Sequence, residues 1–178
     1  IMLWHVFYCF GCIMDNRLLS IANCIDMKGF ADVGTDHGFL PVFMAKRGYE
    51  GNIIASDINP DPLNCAIHNA NEADVSDKIE FILCNGLDAG IKDKIDSIVI
   101  AGMGGDSICG ILDRAEWCMD SEYKLILQPM TKAEILRYWL SCNDFQISDE
   151  IYIDDNGVTY QLICARYGKR EMLSDAEL

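Results

Sequence analysis

The sequence has few basic residues. It carries 14 Lys and Arg against 28 Asp and Glu, which gives a formal net charge of −14. Binding to nucleic-acid phosphates depends on clustered Lys and Arg, so this balance argues against strong non-specific binding to nucleic acid, although a local basic face is compatible with it. Low-complexity tracts are also lacking. Of the 178 residues, 51% are hydrophobic and 24% are charged, which is typical of one globular domain with a sizeable core.

Long hydrophobic runs are lacking as well. The apolar stretch from Ile1 to Met14 is shorter than the roughly 20 residues that a membrane-spanning helix needs. It has neither the basic start nor the small-residue cleavage site of a signal peptide, and the chain opens on Ile1 rather than on methionine. We therefore expect residues 1–15 to be an apolar extension outside the domain, in preference to a membrane anchor.

Metal-ligand motifs are lacking despite nine cysteines, which are scattered along the chain. The one close pair is Cys9 and Cys12, and a zinc site would need two more ligands at motif spacing. A thioredoxin-type site would need the pair to open a helix after a strand. We therefore expect no metal, and we interpret the cysteines as mostly buried, reduced thiols of a cytoplasmic protein.

Short apolar runs alternate with helical patterns along the chain. The predicted strands cover residues 30–33, 52–56, 79–84, 95–101 and 124–128, and the predicted helices cover residues 16–25, 39–47, 59–70, 107–114 and 132–140. Two further strands, 145–153 and 158–167, are joined by a turn that contains Asn156-Gly157, a strong hairpin signal. This pattern predicts an α/β fold with a doubly wound, mostly parallel sheet and an antiparallel C-terminal hairpin.

Acidic, glycine and amide residues collect where these strands end. Parallel doubly wound sheets bind ligands at the carboxyl ends of their strands, where the strand order reverses. The residues at these ends are Asp32 to Gly38, Asp57, Asn85-Gly86, Gly102 to Gly105, and Gln128-Pro129. Their convergence on one edge predicts a ligand site better than any one motif does.

The loop after the first strand reads D-x-G-x-D-x-G, from Asp32 to Gly38. A dinucleotide-binding loop reads G-x-G-x-x-G and receives a pyrophosphate at the start of its helix. Here Asp36 takes the place of the second glycine, and its carboxylate would repel a pyrophosphate. S-adenosyl-L-methionine has no phosphate, and both its sulfonium and its ammonium are cations that Asp32 and Asp36 would attract. The loop therefore favours a Rossmann-like methyltransferase over a nicotinamide-dependent oxidoreductase.

The later strand ends fit the same cofactor. Asp57 follows the second strand, 25 residues after Asp32, where an acid can bind both ribose hydroxyls; the alternative is a helix cap. Asn85 and Gly86 are predicted to lie near the adenine, with a plain turn as the alternative. Three glycines within residues 102–105 indicate a close approach to the backbone, either by a ligand or by a tight strand-to-helix crossover.

Four motifs carry a family resemblance: ADVGTDHGFLP at 31–41, SIVIAGMGG at 97–105, LILQP at 125–129 and LRYWL at 136–140. The chain from about Arg17 onward resembles the bacterial tRNA (adenine-N1)-methyltransferases that modify position 22. The resemblance implies a class I methyltransferase fold, S-adenosyl-L-methionine as cofactor and tRNA as partner. It also implies a catalytic domain at 16–170, followed by a helical domain that helps to hold tRNA. Residues 171–178 would be the truncated start of that domain, so we expect weak tRNA binding without it.

The resemblance and the loop positions together predict the site residues. The predicted cofactor-binding residues are Asp32, Gly34, Thr35, Asp57, Ile58, Asn85, Gly86, Leu87, Ala101, Gly102, Met103 and Gly104. The predicted substrate-binding residues are Gly105, Gln128 and Pro129, and the predicted catalytic residues are Asp36 and His37. Two positions depart from the family, which usually has Asp where Asn85 stands and Asn where Met130 stands.

Adenine N1 carries a lone pair that can attack the sulfonium methyl directly, so the expected catalysis is mainly positioning and charge stabilisation. N1 lies on the Watson–Crick edge, so the base must first leave its pairing. Asp36 is predicted to face the developing cation. His37 is predicted to position the base, with a structural histidine at the helix start as the alternative.

Other functions remain open from the sequence. They are a methyltransferase of the same fold acting on another substrate, a non-catalytic binding module and, less favoured, an oxidoreductase. The candidate phosphate contacts are Lys46, Arg47, Lys132 and Arg137, with ordinary solvated helix faces as the alternative.

Overall fold

The computed structural model describes residues 16–88, 90–155 and 157–168. The strands are β1 (Gly29–Val33), β2 (Asn52–Asp57), β3 (Ile79–Leu83), β4 (Ser97–Gly104), β5 (Lys124–Thr131), β6 (Phe145–Asp155) and β7 (Val158–Tyr167). The helices are α1 (Asn16–Cys24), α2 (Phe39–Lys46), α3 (Pro60–Glu72), α4 (Gly105–Leu112) and α5 (Ala133–Cys142). Single 3₁₀ turns stand at Ser76–Lys78, Lys92–Lys94 and Glu116–Cys118.

The seven strands form one mixed sheet in the order β3-β2-β1-β4-β5-β7-β6. Strands β1 to β5 pair in parallel, whereas β7 is antiparallel to both β5 and β6. The strand order reverses between β1 and β4, which creates the crevice where such sheets bind ligands. The predicted fold class, a mostly parallel Rossmann-like sheet with an antiparallel C-terminal pair, is confirmed.

The core lies on both faces of this sheet because its central strands alternate their apolar side chains. On β4, Val99 packs with residues of α1, α2 and α3, such as Ile21 and Leu40. Its neighbour Ile98 packs on the other face with residues of α4 and α5, such as Leu112. All five of these side chains are at most 3% exposed. Helices on both faces leave the carboxyl ends of the strands as the open edge.

Strands β4 and β5 each run three residues further than their sequences predict, and β2 and β6 run one and two residues further. β4 continues to Gly104 instead of stopping at residue 101, and β5 continues through Pro129 to Thr131. The added residues pair across register shifts, with Met103 opposite Pro129 and Gly104 opposite Thr131. A proline cannot donate a ladder hydrogen bond, but it is tolerated at such an irregular position. As a result α4 begins at once, at Gly105, two residues before the predicted start.

The predicted turn between β6 and β7 is only partly described, because Asn156 lies outside the described residues. Asp155 pairs with Val158 across the hairpin, and Gly157 has φ of +78°, as glycine in a tight turn often does. The predicted extension at 1–15, with Cys9 and Cys12, and the predicted second domain at 171–178 also lie outside the described residues. No described helix is long and apolar enough to cross a membrane.

The cysteines within the described ranges are all free thiols. Cys109, Cys118 and Cys164 are buried, as we expect of thiols in apolar runs. Cys65 and Cys142 are exposed instead, because each lies on the outer side of a helix that packs on the sheet.

Candidate functional site

The loop between β1 and α2 is pinned to the end of β2. The backbone N–H groups of Gly34 and Thr35 both donate to the Ser56 carbonyl, at 2.8 and 2.9 Å. Gly34 has φ of +73°, which a glycine adopts without strain. The Thr35 hydroxyl donates to Asp32 Oδ2 at 2.7 Å. These bonds turn the chain sharply and fix the Asp32 carboxylate beneath the loop.

Asp32 is a buried acid, only 7% exposed. Burial raises its pKa to about 6, although the hydrogen bond from Thr35 opposes the rise. The negative charge of Asp57 adds to the increase in pKa, and the positive charge of Arg17 lowers the pKa. Holding this carboxylate charged costs free energy in the empty site, so a cationic group next to it would be bound favourably.

Asp36 and His37 lie at the mouth of the site. Asp36 has φ of +52°, a conformation that favours glycine and that Asp tolerates better than most residues. Its carboxylate is 3.6 Å from His37 Nε2, and both side chains are at least half exposed. The His37 ring stacks on Phe39, with centroids 5.3 Å apart and an angle of 21° between the rings. The result is a carboxylate beside a flat, solvent-facing aromatic surface.

Asp57 has both oxygens engaged by backbone. Oδ1 accepts from the Asn59 N–H at 2.9 Å, and Oδ2 accepts from the Asp36 N–H at 3.4 Å. Asn59 is the cap residue of α3 and makes no side-chain cap bond of its own, so Asp57 supports the start of this helix. The cap of α3 is therefore Asn59 and not Asp57, which at this helix bonds only to the N–H of that cap residue, while its buried carboxylate also lines the site.

Asn85 and Gly86 follow β3 at the far end of the site. Asn85 Oδ1 accepts from Arg114 Nη2 at 3.0 Å, which orients the side-chain amide. Gly86 has φ of +66°, and a Cβ added there would be 3.0 Å from the Ile111 side chain. This part of the site is therefore a turn packed closely against α4.

The glycines at the end of β4 and at the start of α4 are required for different reasons. Gly102 has φ of +78°, and its N–H donates to Gln128 Oε1 at 3.2 Å. A Cβ added to Gly105 would come within 2.2 Å of the Lys132 carbonyl oxygen, a backbone atom that cannot easily move. The tight strand-to-helix crossover that we considered from the sequence therefore accounts for Gly105, whereas the backbone angle accounts for Gly102.

These loops surround a cleft of about 660 Å³ at the carboxyl edge of the sheet. The predicted site residues that line it are Asp32, Gly34, Thr35, Asp36, His37, Asp57, Ile58, Asn85, Gly86, Ala101, Gly102 and Met103. The predicted site residues outside its wall are Leu87, Gly104, Gly105, Gln128 and Pro129. Leu87 is 1% exposed within the core, and Gln128 is fully buried directly behind Gly102.

Several wall residues escaped the sequence analysis. They are Arg17, Leu18, Phe39, Asn59, Pro62 and Tyr160, among others. Phe39 and Asn59 are direct neighbours of predicted residues or motifs, so a wider window around each motif would have found them. Met130, which the sequence singled out as a departure from the family, also lines the cleft. Arg17 on α1 and Tyr160 on β7 carry no local signal, because only tertiary packing brings these two elements to the cleft.

The candidate phosphate contacts do not form a basic surface at the cleft. Lys132 forms an ion pair with Asp106 at 2.6 Å, and Arg137 forms one with Glu150. Lys46 and Arg47 end α2, which starts at the cleft and runs back toward the amino ends of the strands. Two of the four cations are therefore neutralised, and two lie at the opposite edge of the sheet.

Metal ligands are not grouped at this site. Within residues 16–88, 90–155 and 157–168, no three His, Cys, Asp or Glu side chains are placed to hold a metal ion. The acids of the cleft instead stand near backbone N–H groups and beside one histidine.

Comparison with known proteins gives a consistent result. Residues 14–163 match the family model described as a methyltransferase domain. Over 163 residues the chain is 29% identical to the tRNA (adenine(22)-N(1))-methyltransferase of Bacillus subtilis, covering 91% of this chain and 68% of that protein.

Solved structures agree in both fold and sequence. A Streptococcus pneumoniae protein in complex with S-adenosyl-L-methionine has 32% identity and a TM-score of 0.79, over 89% of this chain and 75% of its own. The M. capricolum protein TrmK, solved with S-adenosyl-homocysteine, has 30% identity and a TM-score of 0.74, over 91% of this chain and 73% of its own. The chain therefore belongs to the methyltransferase-domain family and, within it, to the tRNA (adenine(22)-N1)-methyltransferases.

Proposed function

We propose that this protein binds S-adenosyl-L-methionine in the cleft and transfers its methyl group to N1 of adenine 22 in tRNA. The observation that carries the proposal is the β1–α2 loop, where a buried acid and an exposed acid replace the glycine-rich pyrophosphate site of a dinucleotide fold. The relatives named above support the same cofactor and substrate. A protein that modifies tRNA would work in the cytoplasm.

The cleft fits this cofactor in size and in donor chemistry. Its volume of about 660 Å³ lies within the range of roughly 300–1,000 Å³ for small-molecule sites. Asp57 and Asn85 line the cleft, and we assign Asp57 at the end of β2 to the ribose hydroxyls and the Asn85 amide after β3 to the adenine. Asp32 and Asp36 supply negative charge where the cofactor is cationic. We assign Ile58, Gly86, Ala101 and Met103 to the apolar and backbone walls.

When bound, S-adenosyl-L-methionine supplies an electrophilic methyl group, and the adenine N1 lone pair accepts it without loss of a proton. The adenine then carries the positive charge that the sulfonium had. Asp36, 67% exposed and at the mouth of the cleft, stabilises that charge. No general base is required, so the protein contributes mainly orientation and charge.

The rim of the cleft suits a flat base. Phe39, Ile58 and Met130 line the cleft and are 38%, 58% and 49% exposed. Exposed apolar side chains at a concave site commonly mark a binding surface. We assign the stacked pair of His37 and Phe39 to one side of the extruded adenine and Met130 to the rim around it. Gly104, Gly105, Gln128 and Pro129 act from behind this surface by shaping the ends of β4 and β5.

Binding of tRNA phosphates needs a basic surface, and the candidate phosphate contacts in the described part of the chain do not form one near the cleft. The four cations that the sequence suggested as phosphate contacts are ion-paired or lie at the far edge of the sheet. We propose that residues 16–170 form the catalytic domain, and that the helical domain expected from about residue 171 supplies most of the affinity for tRNA.

Two measurements test the proposed function. Titration calorimetry should detect S-adenosylhomocysteine and not NAD. Incubation with tRNA and S-adenosylmethionine should place 1-methyladenosine at position 22, read as a stop of reverse transcription, and a transcript with G22 should stay unmodified. If the protein binds NAD and not S-adenosylhomocysteine, the proposal is rejected. If it methylates another nucleotide, the proposed cofactor stands and the proposed substrate, adenine 22, is wrong.

A further inference from the structure

Two cysteines from distant parts of the chain meet where α1 packs on the sheet. Cys24 is the last residue of α1, Cys164 lies in β7, and both are free thiols in the same apolar cluster. The Cys164 thiol donates a hydrogen bond to the Cys24 sulfur. Two cysteines can be bridged without backbone movement only when their side chains point at each other. The hydrogen bond shows that these two side chains do.

Ion pairs beside the two thiols fix the end of α1 against β7. Cys164 and Arg166 are two positions apart on one strand, so their side chains lie on the same face of the sheet. Arg166 forms an ion pair with Asp26, which follows Cys24 by two residues. Lys124 on β5 donates to the Cys24 carbonyl at 2.7 Å and to Asp26 Oδ1 at 3.3 Å. The backbone that carries Cys24 is therefore held next to the strand that carries Cys164.

The two thiols have complementary reactivity. The hydrogen bond from Cys164 lowers the pKa of Cys24 to about 7, although burial opposes the change, and Cys24 is partly exposed to solvent. Cys164 is only 1% exposed, and its pairing with Cys24, followed by burial, raises its pKa. Burial also raises the pKa of Cys109 and of Cys118 to about 11. Because oxidants react with accessible thiolates, Cys24 is the thiol that reacts first and Cys164 is the thiol beside it.

A single hydroperoxide molecule supplies the oxidising power for a disulfide here. The Cys24 thiolate attacks one oxygen of the O–O bond, the other oxygen leaves and takes up a proton, and Cys24 becomes a sulfenic acid. The Cys164 sulfur then attacks the Cys24 sulfur, the S–O bond breaks, and the hydroxyl leaves as water with the Cys164 proton. The two thiols lose two electrons and the peroxide gains them. A thiol reductant reverses the product by exchange.

Oxidation of Cys24 also makes the second step easier. The negative charge of Cys24 is one of the causes that raise the pKa of Cys164. A sulfenic acid has no such charge, so the Cys164 thiol ionises more readily once Cys24 is oxidised. The site is therefore ordered, with Cys24 reacting before Cys164.

We propose that Cys24 and Cys164 form a reversible redox-modification site, in which a hydroperoxide oxidises Cys24 and Cys164 then closes an intramolecular disulfide. The bond joins the end of α1 to β7. The first turn of α1 lines the cleft through Arg17 and Leu18, so oxidation fastens one wall of the cleft to the sheet. The inference goes beyond the proposed function, since it depends on neither the cofactor nor tRNA.

Peptide mapping of the oxidised protein tests the pair directly. The reduced protein is treated with hydrogen peroxide, its remaining thiols are alkylated, and it is digested without reductant. An enzyme that cleaves before aspartate leaves Cys24 and Cys164 each in a peptide with no other cysteine. We expect these two peptides to be joined, with a loss of about 2 Da for two hydrogen atoms, and to separate in dithiothreitol.

Three variants assign the role of each thiol. At about pH 9, where Cys24 ionises even without its partner, Cys164→Ala should accumulate a Cys24 sulfenic acid that dimedone traps. Cys24→Ala should leave Cys164 unoxidised. Cys65→Ala removes an exposed cysteine on α3 and should form the disulfide as fast as the original protein does. Circular dichroism before oxidation shows that each variant is folded.

Thermal unfolding tests whether the folded protein accommodates the bond. The disulfide closes a long loop of the chain, which restricts the unfolded state. The oxidised protein should therefore unfold roughly 5–15 °C above the reduced protein. Peroxide should not shift the unfolding temperature of Cys24→Ala.

Four results would overturn the proposal. The first is a protein that stays reduced in peroxide, and the second is oxidation of Cys24 to a sulfinic acid with no link to Cys164. The third is a bond from Cys24 to another cysteine or to a second molecule. The fourth is a Cys24–Cys164 bond that lowers the unfolding temperature, because the fold would then have to distort to form it.

Discussion

The Met103 side chain occupies the space directly over Gly34. A Cβ built on Gly34 would lie 2.0 Å from Met103 Cε, and Gly34 has φ of +73°. The loop after β1 and the end of β4 therefore meet across the floor of the cleft, where the Met103 thioether packs on the backbone of Gly34. This contact exists only because β1 and β4 are neighbours in the sheet.

Gly34→Ala should reduce both stability and cofactor binding. The new methyl group meets Met103, and the left-handed backbone adds strain of about 1 kcal/mol. We expect a total loss of roughly 2–4 kcal/mol in unfolding free energy. A double-mutant cycle measured by urea denaturation tests the contact with three variants: Gly34→Ala, Met103→Ala and the double variant. In the Gly34→Ala background, Met103→Ala should recover part of the lost unfolding free energy. If the two losses of unfolding free energy are additive, the side chains do not contact each other.

Cofactor affinity should depend on pH through Asp32. Its pKa is raised to about 6, so in the free protein the carboxylate that binds the ammonium becomes neutral below that pH. Affinity for S-adenosylhomocysteine should be constant from about pH 7 to 8 and should fall roughly tenfold for each pH unit below 6. Calorimetry at several pH values measures this, with Asp32→Asn as a control that should be weaker and nearly independent of pH across the window.

Asp32→Asn should also stabilise the folded protein. Because the pKa of Asp32 is above its ordinary value of 3.8, the folded state binds more protons than the unfolded state between about pH 4 and 6, and ionisation costs stability there. This cost is absent below about pH 4 and complete above about pH 6, where it reaches at most about 3 kcal/mol. Urea unfolding at pH 4 and pH 7 should show a gain for the variant only at pH 7. An equal difference at both values would reject the shifted pKa.

Asp36 should matter for turnover and not for folding. Its φ of +52° favours Gly or Asn, so Asp36→Asn and Asp36→Gly should be at least as stable as the original protein. Both should lower the rate of methyl transfer by roughly 100-fold or more, as removal of one stabilising group does elsewhere. Single-turnover rates on tRNA, beside thermal unfolding, measure the two effects. Near-normal turnover in either variant would remove Asp36 from the mechanism.

Cys24 should react with alkylating reagents at neutral pH. The hydrogen bond from the Cys164 thiol lowers the pKa of Cys24 to about 7, and Lys124 contributes in the same direction. The same pairing with Cys24, and then burial, raise the pKa of Cys164, which should stay unmodified. Alkylation with iodoacetamide, mapped by mass spectrometry from pH 5 to 9, should give a midpoint near 7 for Cys24 and a higher midpoint in Cys164→Ala. The same midpoint in both proteins would show that Cys164 has no effect.

Most of the fold could be predicted because the signals are local. Short apolar strand patterns that alternate with helical patterns predicted the order of the elements. The glycine and acidic residues at the strand ends predicted the edge of the sheet where a ligand binds. Boundaries were wrong where residues 102–104 and 129–131 extend their strands, since a short run of Gly, Met and Pro has no strand propensity of its own. These two segments become strands only because each one pairs with the other across the sheet.

The chain's own sequence determined the strand-turn-helix units, the acids of the first loop and the family to which they belong, because each depends on residues that are close together in the chain. The tertiary structure alone decided which side chains share the cleft. Arg17 and Gln128 are 111 residues apart and meet through one hydrogen bond. That meeting follows from the docking of α1 and β7 beside β4 and β5. Such contacts come from the packing of whole elements, so they cannot be predicted from short spacings along the sequence.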